Sequence, residues 1–346
     1  MHPGATSIQC NGPTKIKMVQ ITNPPHHHHQ RPYHLGTMSS NKRKDPAGDG
    51  DITMASGNEN DSGSDVTSRF RIVNTTRTDA VQDMDIVNVD FEMFDPQPAH
   101  DFHGIKNLLR QLFDADSTLF DLSSLTDLIL SQPLLGTTVK TDGNESDPFA
   151  FLTVINLHTH ASNPAVATLA DHILSKSSAN PTLRAKLAGL LAPGSSAQVG
   201  LILTERLINM PVQVVPPMYK MLLEEIEWAL QEGEPYNFSH FIVLSKSYVE
   251  VASKLDEMET RPNKKGRKQR KKGKSEVFYY HPEDETVRRR CGEDSVADFR
   301  FEKEWEVADS KRAFSDMGIK PQGLMMCVDK GGFKAMVDDL EGLFKP

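Results

Sequence analysis

The segment Val199–Ile226 constrains the fold of this chain more than any other. It opens with Val199-Gly200-Leu201-Ile202-Leu203, a continuous apolar run of the kind buried on both faces of a sheet. A turn follows through Met210-Pro211, and Pro216-Pro217 then supplies the fixed φ of a first helical turn. The helix expected over Pro217–Gln231 puts Met218, Leu222, Ile226 and Ala229 on one stripe and turns Glu224, Glu225 and Glu227 toward water, with Gly233 past its end. Nothing in the segment is catalytic on its face.

The flanking elements extend the same texture. From Val87 to Phe94 apolar and polar residues alternate, as in a half-buried strand. Ile105, Leu108, Leu109, Leu112 and Phe113 define one helical face within Asp101–Phe113, and a second helix, Ser123–Gln132, stops before Pro133. Strands are expected over Thr137–Lys140 and Phe149–Leu157. Asn163-Pro164 and Asn180-Pro181 each place an N-cap amide before an N1 proline, so two further helices begin there. Phe241–Val251, Val277–His281, Ala297–Phe301 and Gly323–Val328 resume β texture, and Gly332–Leu343 closes the chain as a short amphipathic helix. Helices separating the middle strands, with late strands free to pair as hairpins, describe a mixed α/β domain.

Residues 1–80, rich in Pro, His, Gly, Asp, Ser and Asn, lack the apolar content to bury a core and read as a disordered tail. The expected organisation is this tail, then one α/β domain over 81–346 interrupted by a charged insert at about 257–276. The insert contains Lys264, Lys265, Arg267, Lys268, Arg270, Lys271, Lys272 and Lys274, eight bases and no acid in eleven residues of a chain whose net charge is −8. The rest of the chain is therefore more acidic still. No aromatic residues interleave with these bases to stack nucleobases, which favours a nuclear-targeting signal over direct nucleic-acid binding. Between Arg77 and Lys106 there is no Lys or Arg, while Asp79, Asp83, Asp85, Asp90, Glu92, Asp95 and Asp101 accumulate, a stretch able to attract a basic partner.

Familiar catalytic motifs are absent: no phosphate-binding glycine loop, no Gly-x-Ser-x-Gly elbow, no His-Glu-x-x-His helix. His158 and His160, expected on one strand face, lack a visible third ligand and read as structural, as do His100 and His103. His26–His29 reads as low-complexity sequence. Asp127, Glu205, Glu225 and His240 could form acid/base pairs only if the fold joined them. No catalytic, cofactor-binding or metal-binding residue is assigned. Cys10, Cys291 and Cys327 are too few and scattered for a disulfide framework, no apolar run reaches the roughly 20 residues of a membrane helix, and no secretory core opens the chain. The expectation is a nuclear and cytoplasmic protein without membrane insertion.

Several blocks resemble the BCCIP family, including its fungal Bcp-type nuclear-export members. They are Val89-Asp90-Phe91-Glu92-Met93-Phe94-Asp95-Pro96, Asp101-Phe102-His103-Gly104-Ile105-Lys106, Leu108–Leu112, Gly136–Asp142, the Val199–Ile226 segment and Phe278-Tyr279-Tyr280-His281-Pro282-Glu283-Asp284-Glu285. The family resemblance implies an acetyltransferase-like mixed β-sheet flanked by helices. It also implies shuttling between nucleus and cytoplasm, export of client proteins through the nuclear transport machinery, and chaperoning of a basic large-subunit ribosomal protein. A phosphatidylinositol phosphate kinase client would link it to actin organisation and vesicular transport. Met38 opens a more family-like amino terminus than Met1, and mass spectrometry of the native terminus decides whether Met1–Thr37 is translated. The rival reading, an acetyl-CoA-dependent acetyltransferase, needs an Arg/Gln-x-x-Gly-x-Gly/Ala loop between a central strand and a helix. The junction taken for it, Leu157–Pro164, has no glycine. The expected product is a non-enzymatic binding protein whose contact candidates are Asp83, Asp85, Asp90, Glu205, Arg206 and Asn209.

Overall fold

In the computed structural model, residues 14–19, 88–132, 135–250, 276–303 and 318–345 are described. They belong to one compact unit, Met1–Gln20 together with Val87–Pro346; the second unit, Ile21–Ile86, holds none of them. Asp83, Asp85 and the eight bases of the insert lie outside the described residues.

The described strands are β1 (Thr14–Val19), β2 (Asn88–Phe94), β3 (Thr137–Lys140), β4 (Ala150–Asn156), β5 (Val199–Arg206), β6 (His240–Glu250), β7 (Val277–Tyr279), β8 (Val296–Phe299) and β9 (Ile319–Asp329). They form one sheet in the order β1-β2-β3-β4-β5-β6-β9-β8, with β7 also on β6. Every pair is antiparallel except β5–β6. The helices are α1 (Phe102–Phe113), α2 (Leu122–Ser131), α3 (Pro164–Lys176), α4 (Pro181–Leu190), α5 (Val215–Gln231), α6 (Glu283–Cys291) and α7 (Lys330–Leu343). The mixed α/β class expected from the sequence is the class found.

Helices cover both faces. On β5, Leu201 and Leu203 join the apolar faces of α1 to α4, while Ile202 joins α5, α6 and α7; Ile242 and Leu244 against Phe241 and Val243 repeat the division on β6. This is why the central strands read as unbroken apolar runs rather than as alternating ones. Gly200 is required there: a Cβ would come within 2.7 Å of Val154 Cγ2 and 3.0 Å of Phe241 Cδ1. Both asparagine caps form as expected. Asn163 Oδ1 accepts from Ala165 N at 2.9 Å, and Asn180 Oδ1 from Thr182 N and Leu183 N at 3.1 and 3.3 Å.

Three expectations are corrected. Thr14–Val19, inside the stretch read as tail, pairs antiparallel with β2. Helix α6 went unexpected because Val287 is its one buried apolar residue; its signal lies in charge, with Glu283, Asp284 and Glu285 in the first turn and Arg288, Arg289 and Arg290 in the last, as the helix dipole favours. Asp101 is not an open acidic surface group. It is fully buried with Lys140, Nζ to Oδ1 2.7 Å, and its Oδ2 accepts from Gln97 N at 2.7 Å.

Glu225 also departs from expectation: it turns inward rather than to water. Gly136 N donates to its Oε2 at 2.9 Å and Thr137 Oγ1 to its Oε1 at 3.4 Å. Burial pushes the carboxyl up to about 7, against which the Gly136 bond acts. Because the folded value exceeds the unfolded one, its contribution is most favourable at acid pH and is lost as pH rises through about 7. Glu225→Gln is expected to leave stability unchanged at pH 4 and to raise it by about 3 kcal/mol at pH 8. Urea unfolding at the two pH values checks this; equal effects would contradict it.

Candidate functional site

The one parallel pair in the described sheet marks where a site could form. Strands β5 and β6 are in register from Val199↔His240 only to Ile202↔Val243. Beyond that point β5 continues to Arg206 and β6 to Glu250, while β9 accompanies β6 along its whole length. The edge of β6 that β5 leaves is taken by β7, which pairs Val277, Phe278 and Tyr279 with Val249, Tyr248 and Ser247. The chain then runs through Tyr280–Asp284 into α6, and this segment fills the wedge between the diverging strands.

Strand alternation sends Glu205 to the α1 side of the sheet and Arg206 to the α6 side, and it divides Lys246 and Ser245 in the same way. Lys246 Nζ lies 2.8 Å from Glu205 Oε2 and donates to Gln111 O at 2.7 Å; Gln111 Nε2 donates to Arg206 O at 2.9 Å, so the end of α1 is tied in. His281 Nε2 donates to Glu205 Oε1 at 2.7 Å. On the other side Arg206 holds Glu283 with both guanidinium nitrogens, and Ser245 Oγ donates to Asp284 Oδ2 at 2.5 Å. All seven side chains from Glu205, Arg206, Ser245, Lys246, His281, Glu283 and Asp284 are buried.

The electrostatics fit a closed network. Burial alone would raise the Glu205 carboxyl, but the His281 hydrogen bond and the Lys246 charge outweigh it and lower it to about 2. Burial lowers His281, and the Glu205 hydrogen bond and charge overcome this and raise it. Asp284 is raised by burial and by the neighbouring Glu283. Lys246 and His281 share the Glu205 carboxylate, Glu283 takes Arg206, and Asp284 is held by the Ser245 hydroxyl.

Two expected contact residues are therefore corrected. Glu205 and Arg206 are 2% and 8% exposed and serve the interior, because the loss of β5–β6 pairing gives their side chains partners on the inserted segment. Of that group Asn209 is exposed, next to the exposed Ile208, and Asp90 is exposed on β2; Met210 is buried. The sequence pointed to Tyr280-His281-Pro282-Glu283-Asp284 as family-like but not to its place against Glu205, which only the topology supplies. Asp127 is exposed, Glu225 has its own site, and no hydrogen bond among the described residues joins either of them, or His240, to Glu205. His158 lies in the turn after β4, not on a strand face. Its Nε2 is 3.1 Å from Leu190 O and its Nδ1 accepts from Val199 N at 3.3 Å, which makes it a structural tie. Among the described residues no group of three His, Cys, Asp or Glu could hold a metal ion, and no helix of theirs is long and apolar enough to cross a membrane.

The residues do not fit acetyl-CoA. The turn at Leu157–Pro164 follows β4, whose neighbour β5 is antiparallel, so it is not the junction beside the diverging pair. That junction is Leu207–Val214, between β5 and α5, and it too contains no glycine to bring backbone amides onto a pyrophosphate. The wedge itself is occupied by the chain's own residues.

Fold and site thus define a mixed α/β protein whose described sheet has one parallel pair, with the wedge beyond that pair filled by the chain's own residues. The BCCIP family profile matches residues 86–287. "Protein bcp1" of Aspergillus fumigatus is 56% identical over 263 residues, covering 76% of this chain and 89% of that protein, and "Protein bcp1" of Schizosaccharomyces pombe is 52% identical, covering 76% and 93%. The crystal structure of BCP1 from Saccharomyces cerevisiae superposes with a TM-score of 0.51 at 29% identity, covering 76% of this chain and 93% of that one. The chain belongs to the BCCIP family.

Proposed function

We propose that this protein is a non-enzymatic escort that binds basic client proteins, accompanies them between nucleus and cytoplasm, and chaperones a large-subunit ribosomal protein. The observation that carries the reading is the filled wedge: β7 and Tyr280–Asp284 occupy the space between β5 and β6, and the buried contacts Glu205–His281, Arg206–Glu283 and Ser245–Asp284 hold them there. A domain built this way offers surfaces rather than a reaction chamber, and function lives in such sites rather than in the fold. The acidic balance of the chain supports a basic client, since opposite charge steers encounter and shields the client from RNA. The targeting role belongs to Lys264–Lys274. Nuclear transport machinery and a phosphatidylinositol phosphate kinase are the further partners of this reading.

Affinity purification from cell extract at low and high salt, with the bound proteins identified, tests it. Basic proteins are expected at low salt and should fall away at high salt and in a variant carrying Asp83→Asn, Asp85→Asn and Asp90→Asn. The same proteins retained in the variant at low salt would contradict the electrostatic account.

A further inference from the structure

Among the described residues the exposed large apolar side chains are Ile208, Trp228 and Leu343, and Trp228, half exposed, is the aromatic one. It lies on α5. The inner stripe of that helix, Met218, Leu222, Ile226 and Ala229, is spent on the core. The outer stripe, Lys220, Glu224, Glu227, Trp228 and Gln231, recurs at spacings of three and four and faces outward. The Trp228 indole makes no ring contact and no hydrogen bond among the described residues. Its surroundings are acidic: Glu224 and Glu227 one turn or less away, then Glu232 and Glu234 past the helix end, all exposed. The single base of the stripe, Lys220, sits at the far end with Glu341, 3.7 Å away.

An exposed indole with Glu224 one turn before it and Glu232 one turn after it selects its occupant by charge. An acidic or neutral apolar partner would desolvate the glutamates beside the indole without compensation, whereas a guanidinium can stack on the indole face while neighbouring guanidinia fork onto the carboxylates. An ammonium is more strongly hydrated and lacks the planar stack. We propose that the Trp228 face of α5 is the docking surface for an arginine-bearing segment of a basic client protein. The proposal rests on the escort reading above and gives it a place on the molecule.

Calorimetric titration of the full chain with nona-arginine and nona-lysine peptides at low salt tests it. Wild type is expected to bind nona-arginine about thirtyfold more tightly than Trp228→Ala, as for a central aromatic anchor with a polar rim. Trp228→Phe should retain most of the affinity, the Glu224→Gln/Glu227→Gln variant should lose salt sensitivity, and nona-lysine should bind weakly and alike to wild type and Trp228→Ala. Because Trp228 is half exposed, the alanine variant should melt as wild type does; the phenylalanine and glutamine variants decide the matter if it does not. Equal affinity of wild type and Trp228→Ala for nona-arginine would overturn the proposal, and if Asp83, Asp85 and Asp90 then prove necessary the escort reading would survive without it. If neither the peptides nor any basic protein binds wild type, the escort reading fails as well. A third result also overturns the proposal. On a Trp305→Phe background, acrylamide quenching could show Trp228 shielded in the free chain and uncovered when the eight bases of Lys264–Lys274 become serine; the chain's own insert would then be the occupant.

Discussion

Glu205→Ala is expected to cost about 3–5 kcal/mol of folding stability, because it strips the counter-charge from two buried cations at once. Lys246 and His281 would face each other in the wedge, with the Gln111 carbonyl as the remaining partner of Lys246. The lowering of the Glu205 carboxyl from 4.5 to about 2 has the same sign: the folded site favours its charged form. The pH dependence follows from the signs. Glu205, depressed in the folded state, stabilises above its unfolded value and loses that contribution as pH falls toward 2. His281, raised in the folded state, stabilises fully below 6.5 and loses its contribution as pH rises through the folded value. The gap between wild type and Glu205→Ala in urea unfolding should therefore be widest between about pH 4.5 and 6.5 and narrow on either side. A gap under about 1 kcal/mol, or one that does not vary with pH, would contradict a closed ionic network.

Lys140→Ala is expected to be of the same order, about 3–5 kcal/mol, since the Asp101 carboxylate would be left fully buried without its cation. Lys140 also donates to Asn144 O and lies over the Phe94 ring at 5.7 Å, so the substitution loosens β2, β3 and the turn after β3 together. Asp101 stands just before α1 and Lys140 at the end of β3, so loss of the pair should also loosen the Gln97–Asp101 turn. Replacing both partners by apolar residues, Lys140→Met with Asp101→Leu, should recover most of the stability, because the cost lies in the orphaned charge rather than in the missing pair. Chemical unfolding of the single and double variants decides; additive losses would show that the two groups act independently.

The contrast between these ion pairs and the rest of the fold explains what could be read from the chain. Apolar periodicity is local, so β3 was legible to the residue and α1 and α5 to within one or two, while the cap-and-proline pairs marked where the two asparagine-capped helices start. The register and partner of a charged side chain are not local. Glu205 and His281 are 76 positions apart, Arg206 and Glu283 77, and Glu225 reaches back 89 to Gly136. From the sequence each of these is a surface charge, and only the divergence of β5 from β6 turns two of them inward. Helix α6 escaped for a related reason: it is held by its charges and by Val287, so the apolar pattern that finds helices was missing. Charge order along the segment, acids first and bases last, is the signal that carries it.

The cleft that this segment fills is the centre of the account, and it can be tested without any client. Isothermal titration of the full chain with acetyl-CoA is expected to give no saturable heat, since Tyr280–Asp284 fill the wedge and Leu207–Val214 has no glycine to cradle a pyrophosphate. Tight, saturable binding of acetyl-CoA would contradict the account and restore the acetyltransferase reading.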